Sequence, residues 1–382
     1  MSPMGVEPKP PWRTVPQAVR RAVQGMLGAE VRRAMRAWGG YGPTPTYRLR
    51  LTDGRRAFLK AVDPSSNDFA RAAYAREERV YRELGELIAP WAPAFYGAFR
   101  CDGWHVMLLE DLGPKAAPPW RRAVVRGVAR AFGDFHRATL GISLPSWLPT
   151  PEQQLMTESR LWESVAGGGG PRPIAELAGE RAAEALRWFD AALPTLVRAA
   201  HRIATLGCPY AFLHGDTRSD NLRWVDGRLR LVDWPHVGVG PAEYDAAAFA
   251  QSVAAEGGPE PEQVMAWYQE RAPARPEALD AAVAALGGFF ADQAWRPEIP
   301  GLPRLRSFQR RQLRVTLAWA ARRHRLPEPT WLSGISAQAS NTLSLRGHPF
   351  DSVRWRRLTY CGAPRPSSPA YSPPNRPCRR VP

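Results

Sequence analysis

The sequence predicts an α+β fold with two lobes, a small β-rich N-lobe followed by a larger, mainly helical C-lobe. Short segments of alternating apolar and polar residues, joined by Asp-Gly pairs, dominate residues 45–110. From Trp120 onward, apolar residues recur at three- and four-residue spacing, which is the period of amphipathic helices. A chain of 382 residues that is 44% hydrophobic is long enough to bury a core in each lobe.

The first 38 residues are predicted to form a helical N-terminal segment. Two short amphipathic patterns lie between Thr14 and Trp38, and Gly28 separates them. Thr14 is a suitable N-cap for the first pattern, because its hydroxyl can accept a hydrogen bond from the first helical turn. We therefore expect two short helices ahead of the N-lobe.

Two β-hairpins make up the sheet of the predicted N-lobe, residues 39–110. The first hairpin follows a Gly- and Pro-rich loop and turns at the Asp-Gly pair of residues 53–54, a strong two-residue hairpin signal. Lys60 lies on its returning strand. The second hairpin turns at the Asp-Gly pair of residues 102–103.

One helix is predicted between the two hairpins, over residues 68–87, because apolar residues recur there at helical spacing. Glu77 falls on the apolar stripe of this helix, so its carboxylate is expected to point inward. Pro90 and Pro93 end the helical pattern.

The C-lobe, predicted over residues 111–330, is mostly helical. Its longest helical patterns cover residues 121–139 and 179–205. Two short apolar strands, 210–213 and 229–232, interrupt the helices and enclose a polar segment. The chain then fills with Pro, Ser and Arg, which predicts a largely disordered tail over residues 331–382.

Composition narrows the class of protein. The formal net charge of +16 is compatible with a polyanionic partner, but the arginines are scattered along the chain, so nucleic acid is not the expected partner. No apolar run is long enough to span a bilayer, and the polar start argues against a secretory signal, so we expect a cytoplasmic protein without a membrane partner. The four cysteines form no CxxC pair and are expected to be reduced and unpaired.

The polar segment between the two strands of the C-lobe carries the groups that phosphoryl transfer requires. Asp216 and Asn221 lie five residues apart after the first strand, and Asp233 ends the second strand. The reaction needs a carboxylate that accepts the hydroxyl proton, and hard oxygen ligands for the Mg²⁺ that neutralises the phosphates. Asp216, Asn221 and Asp233 supply that set.

These motifs resemble those of the aminoglycoside phosphotransferase and choline kinase-like family, which has a protein-kinase-like fold. The family signature of His, any residue, Asp, four residues and Asn is matched from His214 to Asn221. Its strand of two apolar residues followed by Asp and Trp is matched at residues 231–234. The resemblance covers roughly residues 38–326.

The resemblance implies a role for each matched residue. Asp216 would be the catalytic base, and Asn221 and Asp233 would act in catalysis as the ligands of Mg²⁺. Lys60 would contact the α- and β-phosphates of ATP, and Glu77 would hold that lysine.

Further contacts with the nucleotide are implied in the N-lobe. Gly40 and Gly42 would belong to the loop over the phosphates, and Leu109 and Glu110 to the hinge whose backbone meets the nucleobase. GTP remains open as the donor in place of ATP. Asp245 resembles a later aspartate of the family, which we expect to be structural.

We therefore expect a kinase that transfers the γ-phosphate of ATP to a hydroxyl of a small molecule, such as an aminoglycoside or other antibiotic, a sugar or an amino alcohol. A polycationic aminoglycoside needs a carboxylate-lined pocket, which Glu256, Glu260 and Glu262 could provide unless they lie in a solvated loop. Two alternatives are a catalytically inactive nucleotide-binding scaffold and a polyanion-binding basic protein.

Overall fold

The computed structural model describes residues 9–37, 44–113, 119–167, 170–299 and 302–336. It confirms the predicted α+β fold, with a five-stranded N-lobe sheet and a mainly helical C-lobe.

The N-lobe sheet is antiparallel, with its strands in the order β1-β2-β3-β5-β4. The strands are β1 (Val31–Arg36), β2 (Thr46–Leu51), β3 (Arg56–Val62), β4 (Phe95–Cys101) and β5 (Trp104–Glu110). Both predicted hairpins are present, because residues 53–54 lie between β2 and β3 and residues 102–103 lie between β4 and β5.

Strand β1 corrects the prediction for the N-terminal segment. The first predicted helix is present as α1 (Gln17–Leu27), and Gly28 ends it in the left-handed conformation, with φ of 66°. The second predicted helix is wrong, because that stretch is β1 and pairs with β2. Strand β1 lies at the edge of the sheet and is partly exposed to solvent. Its sequence therefore lacks the regular alternation of apolar and polar residues that identifies a strand.

The two faces of the N-lobe sheet pack against different layers. Tyr47, Leu59 and Leu108 lie on the outer face and form a separate core with α1. Lys60 lies on the opposite, inner face, because side chains alternate along a strand. Inner-face residues such as Met107 belong to the core that continues into the C-lobe. The inner face is therefore the one that meets the rest of the molecule.

Helix α2 (Asp68–Glu83) confirms most of the helix predicted over residues 68–87, and the short helix α3 (Gly85–Ile88) follows it. Asn67 caps α2 by accepting a hydrogen bond from Ala70 N at 2.8 Å. Glu77 is only 1% exposed, so its predicted inward direction is confirmed.

Helices dominate the C-lobe, as predicted. They are α4 (Arg122–Thr139), α5 (Pro151–Ser159), α6 (Leu161–Gly167), α7 (Arg172–Glu176), α8 (Ala182–His201), α9 (Ala242–Ala255), α10 (Pro261–Gln269), α11 (Pro276–Gln293) and α12 (Leu305–His324). The strands are β6 (Ala211–Leu213), β7 (Leu222–Val225), β8 (Arg228–Leu231) and β9 (Gly238–Gly240), which pair as β6 with β9 and β7 with β8. None of the helices within the described ranges is both long and apolar enough to cross a membrane.

Two further expectations need correction. Residues 331–336, the start of the tail expected to be disordered, pack on the C-lobe: Trp331 is fully buried, and its ring lies 5.3 Å from that of Phe189. Residues 337–382 lie outside the described residues. Cys208 is disulfide-bonded, contrary to the expectation of unpaired cysteines, whereas Cys101 is free.

Candidate active site

Lys60 forms two short ion pairs, one within the N-lobe and one with the C-lobe. Its Nζ lies 2.5 Å from Glu77 Oε2 on α2 and 2.5 Å from Asp233 Oδ1, two residues after β8. Asp233 adopts a left-handed backbone, with φ of 68°, which is uncommon outside glycine. Strand β3, helix α2 and the segment after β8 therefore converge on one ammonium group.

The charges of these three groups depend on one another. Burial alone would lower the pKa of Lys60, but Asp233 and Glu77 hold it well above its ordinary value. Burial would raise the pKa of Asp233, yet Lys60 holds it well below its ordinary value. The pKa of Glu77 is raised, because burial outweighs the attraction of Lys60. Lys60 therefore remains protonated and Asp233 ionised at neutral pH.

Residues 214–221, called here the catalytic loop, link β6 to β7 and carry Asp216. Asn221 Nδ2 donates hydrogen bonds to Asp216 Oδ2 at 2.9 Å and to the Asp216 carbonyl oxygen at 3.0 Å. Val232 N donates to the carbonyl oxygen of Asn221 at 2.8 Å, which brings Asn221 beside the segment that carries Asp233. The fold thus gathers Asp216, Asn221 and Asp233 at one place.

Asn221 and Asp233 offer oxygens to a divalent cation. The hydrogen bonds of Asn221 use its Nδ2, and the ion pair of Asp233 uses its Oδ1, so Asn221 Oδ1 and Asp233 Oδ2 are the remaining donors. No group of three or more His, Cys, Asp or Glu residues that could hold a metal occurs in the described ranges. Mg²⁺ does not require such a cage, because it usually binds one or two carboxylates together with substrate phosphates and waters. The donor set fits that mode of binding.

Arg218 is a charged residue of the catalytic loop that the sequence analysis did not assign. Its guanidinium lies 2.9 Å from Asp216 Oδ2 and 3.3 Å from Asp220 Oδ1. Asp220 is half-buried, and the loss of hydration raises its pKa. The one sequence signal for Arg218 is its position two residues after Asp216.

Asp245, on the first turn of α9, fixes the start of the catalytic loop from beneath. Its carboxylate accepts hydrogen bonds from the backbone amides of His214 at 2.6 Å and Gly215 at 3.0 Å, while Thr217 Oγ1 donates to its carbonyl oxygen at 2.8 Å. His136 Nε2 lies 3.5 Å from the same carboxylate. Asp245 is fully buried, and these contacts support the structural role expected for it.

Gly215 lies against the segment that follows Asp233. It has φ of 80°, and a Cβ on this residue would lie 2.2 Å from the carbonyl oxygen of His236. Only glycine fits such an approach. His214 reaches the same part of the chain from the other side, because its Nε2 lies 3.1 Å from the Val232 carbonyl oxygen. Packing against His236 therefore requires glycine at the middle position of the His-Gly-Asp sequence.

Leu109 and Glu110 end strand β5, at the connection between the lobes where the sequence placed them. The Glu110 carboxylate accepts a hydrogen bond from Ala94 N at 3.1 Å, and Glu110 N donates to the Ala94 carbonyl oxygen at 2.8 Å, so the Glu110 N–H is already paired. A cavity of about 680 Å³ includes Glu110 in its wall but no residue of the catalytic loop, so we do not assign it to the nucleotide. Gly40 and Gly42, predicted to lie over the phosphates, fall outside the described residues.

The three glutamates considered for a polycationic acceptor are already engaged. Glu256 accepts a hydrogen bond from Ser219 Oγ in the catalytic loop at 2.6 Å. Glu260 and Glu262 pair with Arg322 at 3.4 Å and 2.7 Å. These contacts leave no group of three unpaired carboxylates at these positions.

Comparison with known proteins identifies the chain. The phosphotransferase enzyme family, abbreviated APH, matches residues 34–279, which is more than half of the sequence. The chain belongs to this family. It is thus a phosphotransferase, as the match of its motifs had predicted, and the matched range contains every predicted site residue. A search of curated proteins found no match.

Two solved structures with TM-scores above 0.5 confirm the kinase-like fold of this phosphotransferase, and a third match is weaker. A spectinomycin phosphotransferase in complex with ADP and spectinomycin is 12% identical and has a TM-score of 0.53; the match covers 84% of this chain and 98% of that one. A thermostable mutant of an aminoglycoside phosphotransferase is 14% identical with a TM-score of 0.52, and the match covers 79% and 99%. A choline kinase from Streptococcus pneumoniae is 13% identical with a TM-score of 0.49, covering 80% and 98%.

Proposed function

We propose that this phosphotransferase is a Mg²⁺-dependent kinase that transfers the γ-phosphate of ATP to a hydroxyl of a small molecule. The observation that carries the proposal is the ion triad, in which Lys60 lies 2.5 Å from both Glu77 and Asp233. Such a triad positions a phosphate-binding ammonium beside a metal-binding carboxylate, which is the arrangement that phosphoryl transfer uses. The ADP in the spectinomycin phosphotransferase supports a nucleoside triphosphate as the donor.

Each residue has a role in this proposal. Lys60 binds the α- and β-phosphates, and Glu77 holds its ammonium in place. Asn221 Oδ1 and Asp233 would hold Mg²⁺, which neutralises phosphate charge when bound. Leu109 and Glu110 provide the hinge backbone for the nucleobase, and Gly40 and Gly42 complete the phosphate site in the same proposal. GTP is the alternative donor, since the hinge backbone alone does not select adenine.

Asp216 is proposed to accept the proton of the acceptor hydroxyl. As that proton moves to the carboxylate, the hydroxyl oxygen forms a bond to the γ-phosphorus, and the bond from the γ-phosphorus to the bridging oxygen breaks to release ADP. Asn221 fixes the carboxylate through the 2.9 Å hydrogen bond to Asp216 Oδ2. Arg218 places a positive charge beside the base, where it can stabilise the charge of the transferring group.

Two alternatives from other classes are less well supported. A nucleotide-binding scaffold without catalysis does not require Asp216 to be held by both Asn221 and Arg218. A polyanion-binding protein does not require the buried triad at Lys60. The kinase proposal gives a role both to the contacts of Asp216 and to the triad at Lys60.

The roles of Asp216 and Asp233 can be separated by matched substitutions. Asp216→Asn keeps the shape but removes the proton acceptor, so kcat should fall about 10²- to 10⁴-fold while the Kd of Mg-ATP barely changes. Asp233→Asn removes a full negative charge from the cation site and should weaken Mg-ATP binding itself. Calorimetric titration of Mg-ATP and a coupled ADP assay over a panel of sugars, amino alcohols and antibiotics measure both quantities.

Asp226→Asn is the control for these variants, because it makes the same chemical change on an exposed turn outside the site. The Asp226→Asn variant should keep the kcat and the Kd of Mg-ATP of the wild type. If Asp216→Asn abolished nucleotide binding while Asp233→Asn kept both binding and turnover, the proposed roles would be wrong.

A further inference from the structure

Glu256 follows the last residue of α9 and binds two separate parts of the C-lobe, one with each carboxylate oxygen. Its Oε1 accepts a hydrogen bond from Ser219 Oγ of the catalytic loop at 2.6 Å. Its Oε2 accepts a hydrogen bond from Trp120 Nε1 at 2.9 Å. Trp120 lies two residues before α4, where the C-lobe begins after the connection between the lobes. One carboxylate therefore links the catalytic loop to the start of the C-lobe.

The turn that carries Glu256 is closely packed. The Trp120 ring meets that of Phe249 on α9 edge to face, with the ring centroids 6.0 Å apart. Gly258 N donates a hydrogen bond to the Val253 carbonyl oxygen at 2.9 Å, which folds the turn back onto α9. A Cβ on Gly258 would lie 2.4 Å from Val253 Cγ1 and 3.2 Å from Trp120 Cβ. The backbone after Glu256 is thus packed directly against Trp120.

Ser219 connects Glu256 to the reacting groups. It begins a single turn of 3₁₀ helix that ends at Asn221, and both residues are buried. Asn221 N donates to the Arg218 carbonyl oxygen at 3.1 Å, and Asn221 Nδ2 donates to Asp216 Oδ2 at 2.9 Å. Because a 3₁₀ turn is tightly wound, a shift of Ser219 also moves Asn221. The position of the Glu256 carboxylate therefore affects Asn221 and, through it, Asp216.

The contacts of Glu256 favour a role in holding the site over direct contact with an acceptor, because both of its oxygens already accept hydrogen bonds from the protein. Glu262, its neighbour along the chain, differs: it is exposed and pairs with Arg322 on α12 at 2.7 Å. Loss of the Glu256 carboxylate would leave the buried Ser219 hydroxyl without this acceptor, and an unpaired buried donor is costly. We therefore expect the catalytic loop to move when this carboxylate is lost.

We propose that Glu256 is a positioning residue of the active site, whose carboxylate fixes the turn from Ser219 to Asn221 and so holds Asn221 in place for Asp216 and for Mg²⁺. Residues that orient a metal ligand from outside commonly contribute about 10- to 100-fold to metal affinity or activity. This inference rests on the proposed kinase activity, because the roles of Asp216 and Asn221 belong to that proposal.

Metal-dependent nucleotide binding tests the inference without turnover. Calorimetric titration of ATP at a series of Mg²⁺ concentrations should show that Glu256→Ala needs about 10-fold more Mg²⁺ than the wild type for the same ATP affinity. Glu256→Gln should need little more than the wild type, because its amide oxygen can accept from Trp120 while its NH₂ group donates to Ser219 Oγ. Glu262→Ala removes an exposed acid paired with Arg322, so it is the control and should match the wild type.

Variants of the partner residues show whether Glu256 acts through Ser219. Glu256→Ala and Ser219→Ala should each lower kcat about 10- to 100-fold, and the double variant should be no slower than the slower single variant. Trp120→Phe keeps an aromatic ring and removes the N–H donor, so it should lower kcat less than Ser219→Ala. A coupled ADP assay measures kcat, and melting curves show which variants are folded.

An unchanged Mg²⁺ requirement in a folded Glu256→Ala, or losses of kcat that add in the double variant, would overturn the inference. If Glu256→Ala does not fold, Ser219→Ala removes the same hydrogen bond by a smaller change, and an unchanged Mg²⁺ requirement in that variant would overturn the inference equally. Failure of the kinase proposal itself would appear differently, as Mg²⁺-dependent ATP binding that responds to Glu256 without phosphoryl transfer to any acceptor.

Discussion

Lys60 holds a single ammonium between two carboxylates, and the size of that ammonium matters. Lys60→Ala should lower kcat/KM for ATP by about 10²-fold or more, because a preorganised charge beside the phosphates is lost. Lys60→Arg should not restore activity, since a planar guanidinium cannot place one nitrogen 2.5 Å from both Glu77 and Asp233. Steady-state kinetics in ATP measure the effect. Full activity of the arginine variant would contradict the assignment.

Glu158 makes a separate prediction at the residue scale, about stability and pH. Its Oε2 on helix α5 is shielded from solvent and has no hydrogen-bond partner among the described residues. Burial raises the pKa of Glu158 to about 7 from an ordinary value of 4.5, so the folded state binds the proton more tightly than the unfolded state. Stability from this group is present below pH 4.5 and is lost as pH rises through 7. At about 1.4 kcal/mol per pKa unit, the loss approaches about 3 kcal/mol.

Glu158→Gln removes this titration. The variant should therefore unfold at a higher denaturant concentration than the wild type at pH 8, and the difference should shrink toward pH 4.5. Denaturant unfolding at both pH values measures it. A constant difference would show that Glu158 has the same pKa in both states.

Residues matched by short motifs were predictable, and residues brought in from distant segments were not. Asp216, Asn221 and Asp233 lie within one stretch of 18 residues, and Lys60 and Glu77 stand on elements that the patterns identified. Gln154 carried no signal, because it reaches the carbonyl oxygen of His236 only when α5 packs beside the segment after Asp233.

At the scale of elements, the catalytic loop and the segment after Asp233 are held at fixed separation by Gly215. Gly215→Ala should place a methyl 2.2 Å from the carbonyl oxygen of His236 and should force the loop to move. We expect a loss of turnover of at least about 10²-fold, because a displacement of 1 Å is enough for that effect. Turnover and melting temperature should be measured together.

Gly257→Ala is the matched control for that variant. Gly257 has nearly the same backbone, with φ of 81°, but a Cβ there meets no other atom within 4 Å. The Gly257→Ala variant should lose about 1 to 2 kcal/mol of folding stability, because alanine is disfavoured in the left-handed conformation, and it should retain activity. Equal losses of turnover in the two variants would show that backbone strain, and not the contact with His236, is responsible.

The elements themselves were predictable where local chemistry specifies them. The hairpins of the N-lobe follow from their Asp-Gly pairs, and α2 follows from an apolar stripe with Asn67 as its cap. Strand β1 was not predictable, because its conformation comes from pairing with β2 at a sheet edge and not from its own pattern. Trp331 likewise packs through contacts with α8, whereas the surrounding composition resembles a disordered tail.

On the scale of the whole molecule, the net charge of +16 tests the polyanion alternative. Scattered arginines attract DNA through counterion release, which weakens steeply with salt. We expect filter retention of a DNA duplex at about 50 mM salt to fall to background by about 200 mM. Calorimetric binding of Mg-ATP should survive that change. Tight DNA binding at the higher salt would favour a polyanion-binding function instead.

Lysine is rare in this chain, which contains only Lys9, Lys60 and Lys115 beside its many arginines. Lys9 is buried and donates to Thr46 Oγ1 at 2.5 Å, so it is not the incidental surface residue that its Pro-rich context suggests. Biosynthetic ¹³C-labelling of lysine alone would therefore give an NMR spectrum with signals from very few residues. Because Lys60 lies against Asp233, its side-chain resonances would report on nucleotide at the site directly and leave the ammonium group unmodified.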